Sequence, residues 1–226
     1  MLQILGLMTS CVVYHPHNAD IPLLHEKGQM QADASFSLSA PFLSHPALNA
    51  SFSYAPLKAV GFQASFSFTE WNTYYAQALA GTFYPFGKTV IEGYLGYGYG
   101  ASCNINTAKD IQYRVDGNYH LYFGQMDLGW VNLAEGIIDV GLGVKGGVMQ
   151  SQWEKVLLQE GGIETIEETL DDPHLLVEPQ LMLRIGIHKV KLALNVSYAY
   201  LSDWPVENNY FNYERFSVSL GLHFHF

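Results

Sequence analysis

The chain has 226 residues, of which 49% are hydrophobic and 14% charged, and its formal net charge is −10. A typical soluble domain is about 25% charged, so other residue types must cover this surface. The negative charge argues against a nucleic-acid partner, since phosphate contacts need clustered Lys and Arg. The two cysteines, Cys11 and Cys103, are too few for a disulfide framework or a cysteine-based zinc site. No stretch approaches the roughly 18 consecutive apolar residues of a membrane-spanning helix, so any membrane passage would use strands.

The chain starts with the apolar stretch MLQILGLMTSC. Residues 1–10 resemble a signal peptide that lacks the usual basic start, and Met8-Thr9-Ser10-Cys11 resembles a loose lipobox. The resemblance implies a lipid on Cys11. Two alternatives stay open: a true start upstream of Met1, and a buried hydrophobic strand with an incidental cysteine.

Residues 11–28 precede the first predicted strand. They resemble the mature start of small outer-membrane barrel lipoproteins of the Bacteroidota, a group without an established activity, at Cys11, Tyr14, Pro16, Asn18, Pro22, Leu23, Glu26, Lys27 and Gly28. The resemblance implies a lipid-tethered periplasmic lead or partial plug. An acidic surface-export tag does not follow Cys11, so we expect the lipid in the inner leaflet.

Alternation of apolar and polar residues runs through the remainder of the chain, which is the pattern of strands with two unlike faces. It is strict in 30–39, 48–54, 62–68, 190–200 and 216–226, and weaker in about 74–84, 89–100, 119–132, 138–152 and 175–187. We therefore predict that residues 29–226 form an all-β, antiparallel, up-and-down transmembrane β-barrel of about ten strands.

The predicted connections alternate in length. Tight connections fall near 55–60, 85–88, 133–136 and 188–189, whereas long loops fall at 101–118, 153–174 and 202–213. Short periplasmic turns and long extracellular loops are typical of outer-membrane barrels. With an even number of strands, both termini are expected on the periplasmic side of a bacterial outer membrane.

The polar face of the alternating runs is mostly Ser, Gln, Asn and Gly. It suits the interior of a narrow membrane barrel better than the exterior of a soluble one. Charges of both signs on this face are expected to lie in the lumen and to pair there: Glu92, Asp127, Asp139, Lys145, Glu178, Arg184 and Lys191. The alternative is a soluble ligand-binding β-barrel with its apolar face inward.

The last eight residues, SLGLHFHF, resemble the C-terminal insertion signal of bacterial outer-membrane barrels. The matching positions are Ser219, Gly221, Phe224 and Phe226. The resemblance implies that the barrel-assembly machinery pairs with this strand during insertion.

The sequence predicts a non-catalytic protein, without catalytic, cofactor-binding or metal-binding residues. We expect a largely plugged barrel with a structural or accessory role, in contact with outer-membrane lipids and with an outer-membrane partner protein through its extracellular loops. A narrow pore for small solutes is one alternative, because inward glycines of GYLGYGYG (93–100) would leave space. An omptin-like or lipid-modifying enzyme is another, although it would need an Asp/His or Ser/His group at the rim.

Overall fold

The protein folds as a closed barrel of ten antiparallel strands. The structure, a computed structural model, describes residues 12–14, 16, 21–40, 46–69, 73–108, 111–158, 164–187, 189–202 and 212–226. The barrel strands are β1 (Met30–Ala40), β2 (Ala47–Leu57), β3 (Val60–Thr69), β4 (Thr73–Phe86), β5 (Thr89–Ala108), β6 (Ile111–Asn132), β7 (Ile138–Leu158), β8 (Pro173–Ile187), β9 (Val190–Tyr198) and β10 (Phe216–His225). Each strand pairs with the next in the chain, and β10 pairs with β1. The predicted fold class is confirmed.

Shorter elements extend this barrel. Strand Glu164–Leu170 pairs with the end of β7, strand Tyr200–Leu201 pairs with β8, and strand Val12–Tyr14 pairs in parallel with strand Asn212–Tyr213. A four-residue helical turn, Leu133–Gly136, joins β6 to β7. Among the described residues, no helix has the length and apolar character needed to cross a membrane.

The two faces of the barrel differ as the alternation predicts. Large apolar side chains point outward and are exposed, among them Leu95 at 76%, Met126 at 66% and Leu48 at 64%. Ser, Gln and charged side chains point inward and are buried, as at Ser151 and Gln125. The apolar face is thus on the outside, opposite to what a soluble ligand-binding barrel requires, so that alternative is wrong.

Two of the three predicted long loops are largely strand. Residues 101–108 pair with 111–118 in continuous register, and Glu164–Leu170 folds back on 153–158. β5, β6 and β7 are 20, 22 and 21 residues long, whereas about 9–11 residues cross a bilayer. These strands therefore project beyond the barrel by roughly ten residues each. We call the end from which they project the long-connection end, and the end with the turns at 58–59, 87–88 and 133–137 the short-turn end.

The barrel closes where β10 meets β1. Phe226 N–H donates to the Met30 carbonyl at 2.9 Å, and Met30 N–H donates back to Phe226 at 3.3 Å. A Cβ on Gly221 would lie 2.4 Å from the Ala34 carbonyl oxygen, so only glycine fits this close approach. Of the C-terminal motif, Ser219 and Gly221 face the lumen, and Phe224 and Phe226 face outward.

Candidate functional site

The lumen contains Tyr14 and residues 21–24 from the N-terminal part of the chain. Gly28, with φ of 85°, reverses the chain direction at the short-turn end. Its N–H donates to the Ala55 carbonyl at 2.7 Å, and Ala55 N–H donates to the Gln29 carbonyl at 3.0 Å. Residues 21–24 then enter the barrel and are all buried. We call the described residues of 12–28 (Val12–Tyr14, Pro16 and 21–28) the luminal segment.

Glu92 binds the backbone of the luminal segment. One of its carboxylate oxygens accepts the Leu23 N–H at 2.8 Å, and the other accepts the Leu24 N–H at 2.8 Å. Tyr94 donates its hydroxyl to the same carboxylate at 3.0 Å. Leu23 has φ of 54°, a left-handed conformation that leucine rarely adopts. Hydrogen bonds to a buried carboxylate are stronger than neutral ones, which helps hold the segment in this conformation.

Arg184 binds backbone carbonyl groups of the luminal segment, whereas Glu92 binds its N–H groups. Its guanidinium donates to the carbonyls of Ile21 at 3.0 Å and Pro22 at 3.3 Å. It also lies 3.5 Å from the Asp33 carboxylate, which contacts His223 Nδ1 at 2.9 Å. Arg184 thus connects the luminal segment to side chains on both strands of the closing seam.

Apolar contacts fit the same residues into the barrel wall. Ile21 and Leu23 pack in one buried cluster with Val90, Val131 and Met182. Leu24 packs with Ala55 and Phe83 in another. A Cβ on Gly129 would lie only 2.3 Å from the Leu23 side chain. The wall therefore accommodates Leu23 because residue 129 has no side chain.

Tyr14 occupies the lumen further toward the long-connection end. Its hydroxyl donates to the Glu178 carboxylate at 2.6 Å, and its ring meets Tyr119 edge-on at 5.5 Å. Its carbonyl accepts the Glu214 N–H at 2.8 Å. Tyr14 and Glu178 are both 0% exposed. The N-terminal strand is therefore fixed by contacts with both the barrel wall and the connection before β10.

Inward glycines of β5 do not leave the open space that the narrow-pore alternative requires. A Cβ on Gly98 would lie 2.2 Å from the Tyr75 hydroxyl, and one on Gly100 would lie 2.3 Å from the Tyr119 ring. These two tyrosines, on β4 and β6, stack at 5.7 Å over the glycines of β5, the strand between them. The space that the glycines provide is taken by aromatic rings.

All seven predicted lumen charges are buried inside the barrel: Glu92, Asp127, Asp139, Lys145, Glu178, Arg184 and Lys191. Lys191 lies 2.8 Å from both oxygens of Asp139. Lys145 lies 3.8 Å from Glu178, and Gln125 donates to Asp127 at 2.9 Å. Asp33, His223 and Tyr14 also belong to this network, although they are not among the seven predicted lumen charges. Asp33 and His223 occupy inward positions of alternating strands, and this position in the sequence pattern could have identified both as lumen residues.

Little space remains where the luminal segment enters. The cavity between Leu23, Asp139, Arg184 and His223 measures about 20 Å³, room for about one water molecule.

The predicted signal-peptide-like segment, residues 1–10, and the predicted lipidation site, Cys11, lie outside the described residues.

The two ends of the described chain lie at opposite ends of the barrel. Phe226 is at the short-turn end beside Met30, whereas Val12–Tyr14 pairs with Asn212–Tyr213 at the long-connection end. The expectation that both termini lie on the periplasmic side stays a prediction, because residues 1–11 lie outside the described residues. The sequence predicts a periplasmic lead or partial plug at residues 11–28, and the turn at Gly28 directs residues 21–24 into the barrel.

No family model matches this sequence, and no curated protein matches it. Solved structures with some similarity include Ail, the attachment invasion locus protein of Yersinia pestis, at 11% identity and a TM-score of 0.38, covering 88% of this chain and 99% of that one. The N-terminal β-barrel domain of Pseudomonas aeruginosa OprF has 9% identity and a TM-score of 0.37, over 88% and 98%. The translocator domain of autotransporter NalP from Neisseria meningitidis has 12% identity and a TM-score of 0.44, and the match covers 88% of this chain and 89% of that one. The closed ten-stranded barrel is established by the strand pairing of this chain itself.

Proposed function

We propose that the protein is a bacterial outer-membrane β-barrel that is closed by its own luminal segment and has a non-catalytic, accessory role. The observation that carries the proposal is the double binding of that segment inside the lumen. Glu92 accepts two of its N–H groups, and Arg184 donates to two of its carbonyls. A backbone held in this way obstructs the passage of solutes.

The outer surface supports a place among membrane lipids. Outward side chains are apolar along the barrel, and tyrosines follow toward the long-connection end, where Tyr97 and Tyr122 lie 5.3 Å apart and Tyr74 and Tyr99 lie 6.2 Å apart. Beyond them the outward side chains become polar, as at Asn118, Gln152 and Glu154. Tyrosines at the boundary between an apolar and a polar zone are typical of a membrane interface.

The projecting strands support a role in binding a partner. Their outward surface carries a groove of about 810 Å³ lined by Cys103, Arg114, Asp116, Asn118, Gln152, Glu154 and Asp171, among others. Arg114 pairs with Asp116 inside this groove. A polar sheet of this kind can present hydrogen-bonding groups to a partner protein.

The buried charges support a structural role rather than catalysis. Glu92 binds backbone N–H groups, Asp139 binds Lys191, and Glu178 binds Tyr14. A catalytic acid or base must reach its substrate, but these three carboxylates are each engaged inside an occupied lumen. An omptin-like or lipid-modifying enzyme is therefore the less supported function.

Conductance measurements test the closed state. We expect purified full-length protein, reconstituted into planar lipid bilayers, to show no steady ionic current because backbone and aromatic rings fill the lumen. An open porin of known conductance, reconstituted in the same way, is the control for insertion. Reproducible single-channel steps from the full-length protein would contradict the proposal and favour the narrow-pore alternative.

A further inference from the structure

We propose that the luminal segment threads the entire barrel, so that the chain preceding Val12 leaves at the long-connection end and is presented at the cell surface. A lipid on Cys11, the residue before Val12, would then insert into the outer leaflet of the membrane rather than the inner one. The threading rests on the structure alone, whereas the surface location also rests on the proposed outer-membrane function.

The first step is the entry of the segment at the short-turn end. The Gly28 turn bonds to Ala55, which is close to the β2–β3 turn. Leu23 and Leu24 then bind Glu92, three residues from the start of β5, and Ile21 binds Arg184, three residues from the end of β8. These contacts place residues 21–24 just inside the short-turn mouth and surround them with wall residues.

The second step is the exit at the opposite end. Val12 and Tyr14 pair with Asn212 and Tyr213, and Tyr14 accepts a hydrogen bond from Glu214. These three partners precede β10, which starts at Phe216 at the long-connection end. The partner of Phe216 on the neighbouring strand is Tyr198, the last residue of β9. The N-terminal strand therefore lies at the long-connection end, beyond the paired ends of β9 and β10.

The chain is long enough to cross between these places. Ten residues separate Tyr14 from Leu24, and an extended chain of that length spans up to about 33–36 Å. The hydrocarbon core of a bilayer is about 30 Å thick. Tyr14, Pro16 and Ile21 are buried along the way. The described residues at the two ends of the segment therefore lie within reach of a single chain that crosses the lumen.

The threaded path has a consequence for how the protein is anchored. The sequence suggested a lipid in the inner leaflet, on the same side as the short turns, because an acidic export tag does not follow Cys11. A chain that passes through the lumen instead presents its N-terminal end on the far side of its own barrel. The barrel would then supply the route to the surface, without a separate sorting signal.

A disulfide test separates the two paths. Val12 and Asn212 are direct partners in a parallel pair, and neighbouring strands lie about 4.8 Å apart, within the Cα separation that a disulfide needs. In a Cys103→Ser background, Val12→Cys with Asn212→Cys should give a reduction-sensitive disulfide in most of the folded, heat-modifiable protein. The matched control, Val12→Cys with Lys58→Cys at the short-turn end, should give none. A bond to position 58, or no bond to position 212 in a folded barrel, would overturn the threading.

Labelling of intact cells then tests the orientation separately. A membrane-impermeant maleimide should react with Cys103, which is exposed on the projecting strands, and with Lys58→Cys only after permeabilisation. If the 12–212 disulfide forms while Lys58→Cys is the labelled position, the threading stands and the cell-surface assignment falls. If Cys103 is labelled but the 12–212 disulfide is missing, the proposed outer-membrane orientation stands and the threading falls.

Discussion

Deletion of residues 12–24 is expected to turn a silent barrel into a conducting one. Ile21, Leu23 and Leu24 are each at most 1% exposed and occupy the short-turn mouth. Tyr14 fills the lumen closer to the long-connection end, where it contacts Tyr119 and Glu178. Their removal leaves a water-accessible path lined by Glu92, Arg184 and other polar side chains, and such a path passes ions. In planar bilayers we expect discrete single-channel steps where the full-length protein shows none.

The matched control for the deletion is Tyr14→Phe. This variant loses the 2.6 Å hydrogen bond to Glu178 but keeps the ring in the lumen, so it should remain silent. Heat-modifiability on gels must first show that both variants form barrels. A folded deletion variant without conductance would mean that wall side chains such as Tyr75 and Lys145 close the lumen by themselves.

Breaking the ion pair between Lys191 and Asp139 is expected to destabilise the barrel strongly. The ammonium group lies 2.8 Å from both carboxylate oxygens, and both side chains are buried. Asp139 also accepts the Asn132 N–H at 2.9 Å, next to the β6–β7 turn. Removing one partner leaves an uncompensated buried charge, which costs about 3–5 kcal/mol. We therefore expect Lys191→Met and Asp139→Asn each to lower the free energy of unfolding.

Urea unfolding of the refolded protein in detergent micelles measures this effect. Lys191→Met should lose about 3–5 kcal/mol. The double variant with Asp139→Asn should lose less than the sum of the two single variants, because neither charge is then left unpaired. Lys189→Met is the matched control, since Lys189 is exposed two positions away and should change stability by less than about 0.5 kcal/mol. Additive single effects would show that the two charges do not interact.

The barrel itself could be predicted from the sequence because a membrane-spanning strand meets lipid on one face and a polar lumen on the other. That difference imposes strict alternation, as in Phe62, Ala64, Phe66 and Phe68. The rule ceases to apply once a strand leaves the membrane. Residues 101–108 and 111–118 belong to the parts of β5 and β6 that project beyond the barrel, so their alternation weakens, and the sequence predicts a loop where they pair as strands.

The occupied lumen could be predicted only in part. The inward charges were identified because they lie on the polar face of each strand, but their partners depend on contacts distant in sequence. Leu23 and Glu92 are 69 residues apart, and Asp33 and His223 are 190 apart. Residues 21–24 carry no periodicity that distinguishes a periplasmic lead from a strand that crosses a lumen. The turn at Gly28, which decides between these paths, is visible in sequence only as a glycine before a strand.

Heat-modifiability tests most directly the central claim, a closed membrane barrel with its apolar face outward. Membranes of cells that express the protein are extracted with detergent, and boiled and unboiled samples are compared on SDS gels. A closed barrel resists SDS when cold, so we predict that the protein is recovered with the membranes and that the unboiled form migrates faster than the boiled chain. Recovery in the soluble fraction without a shift in migration would contradict the account.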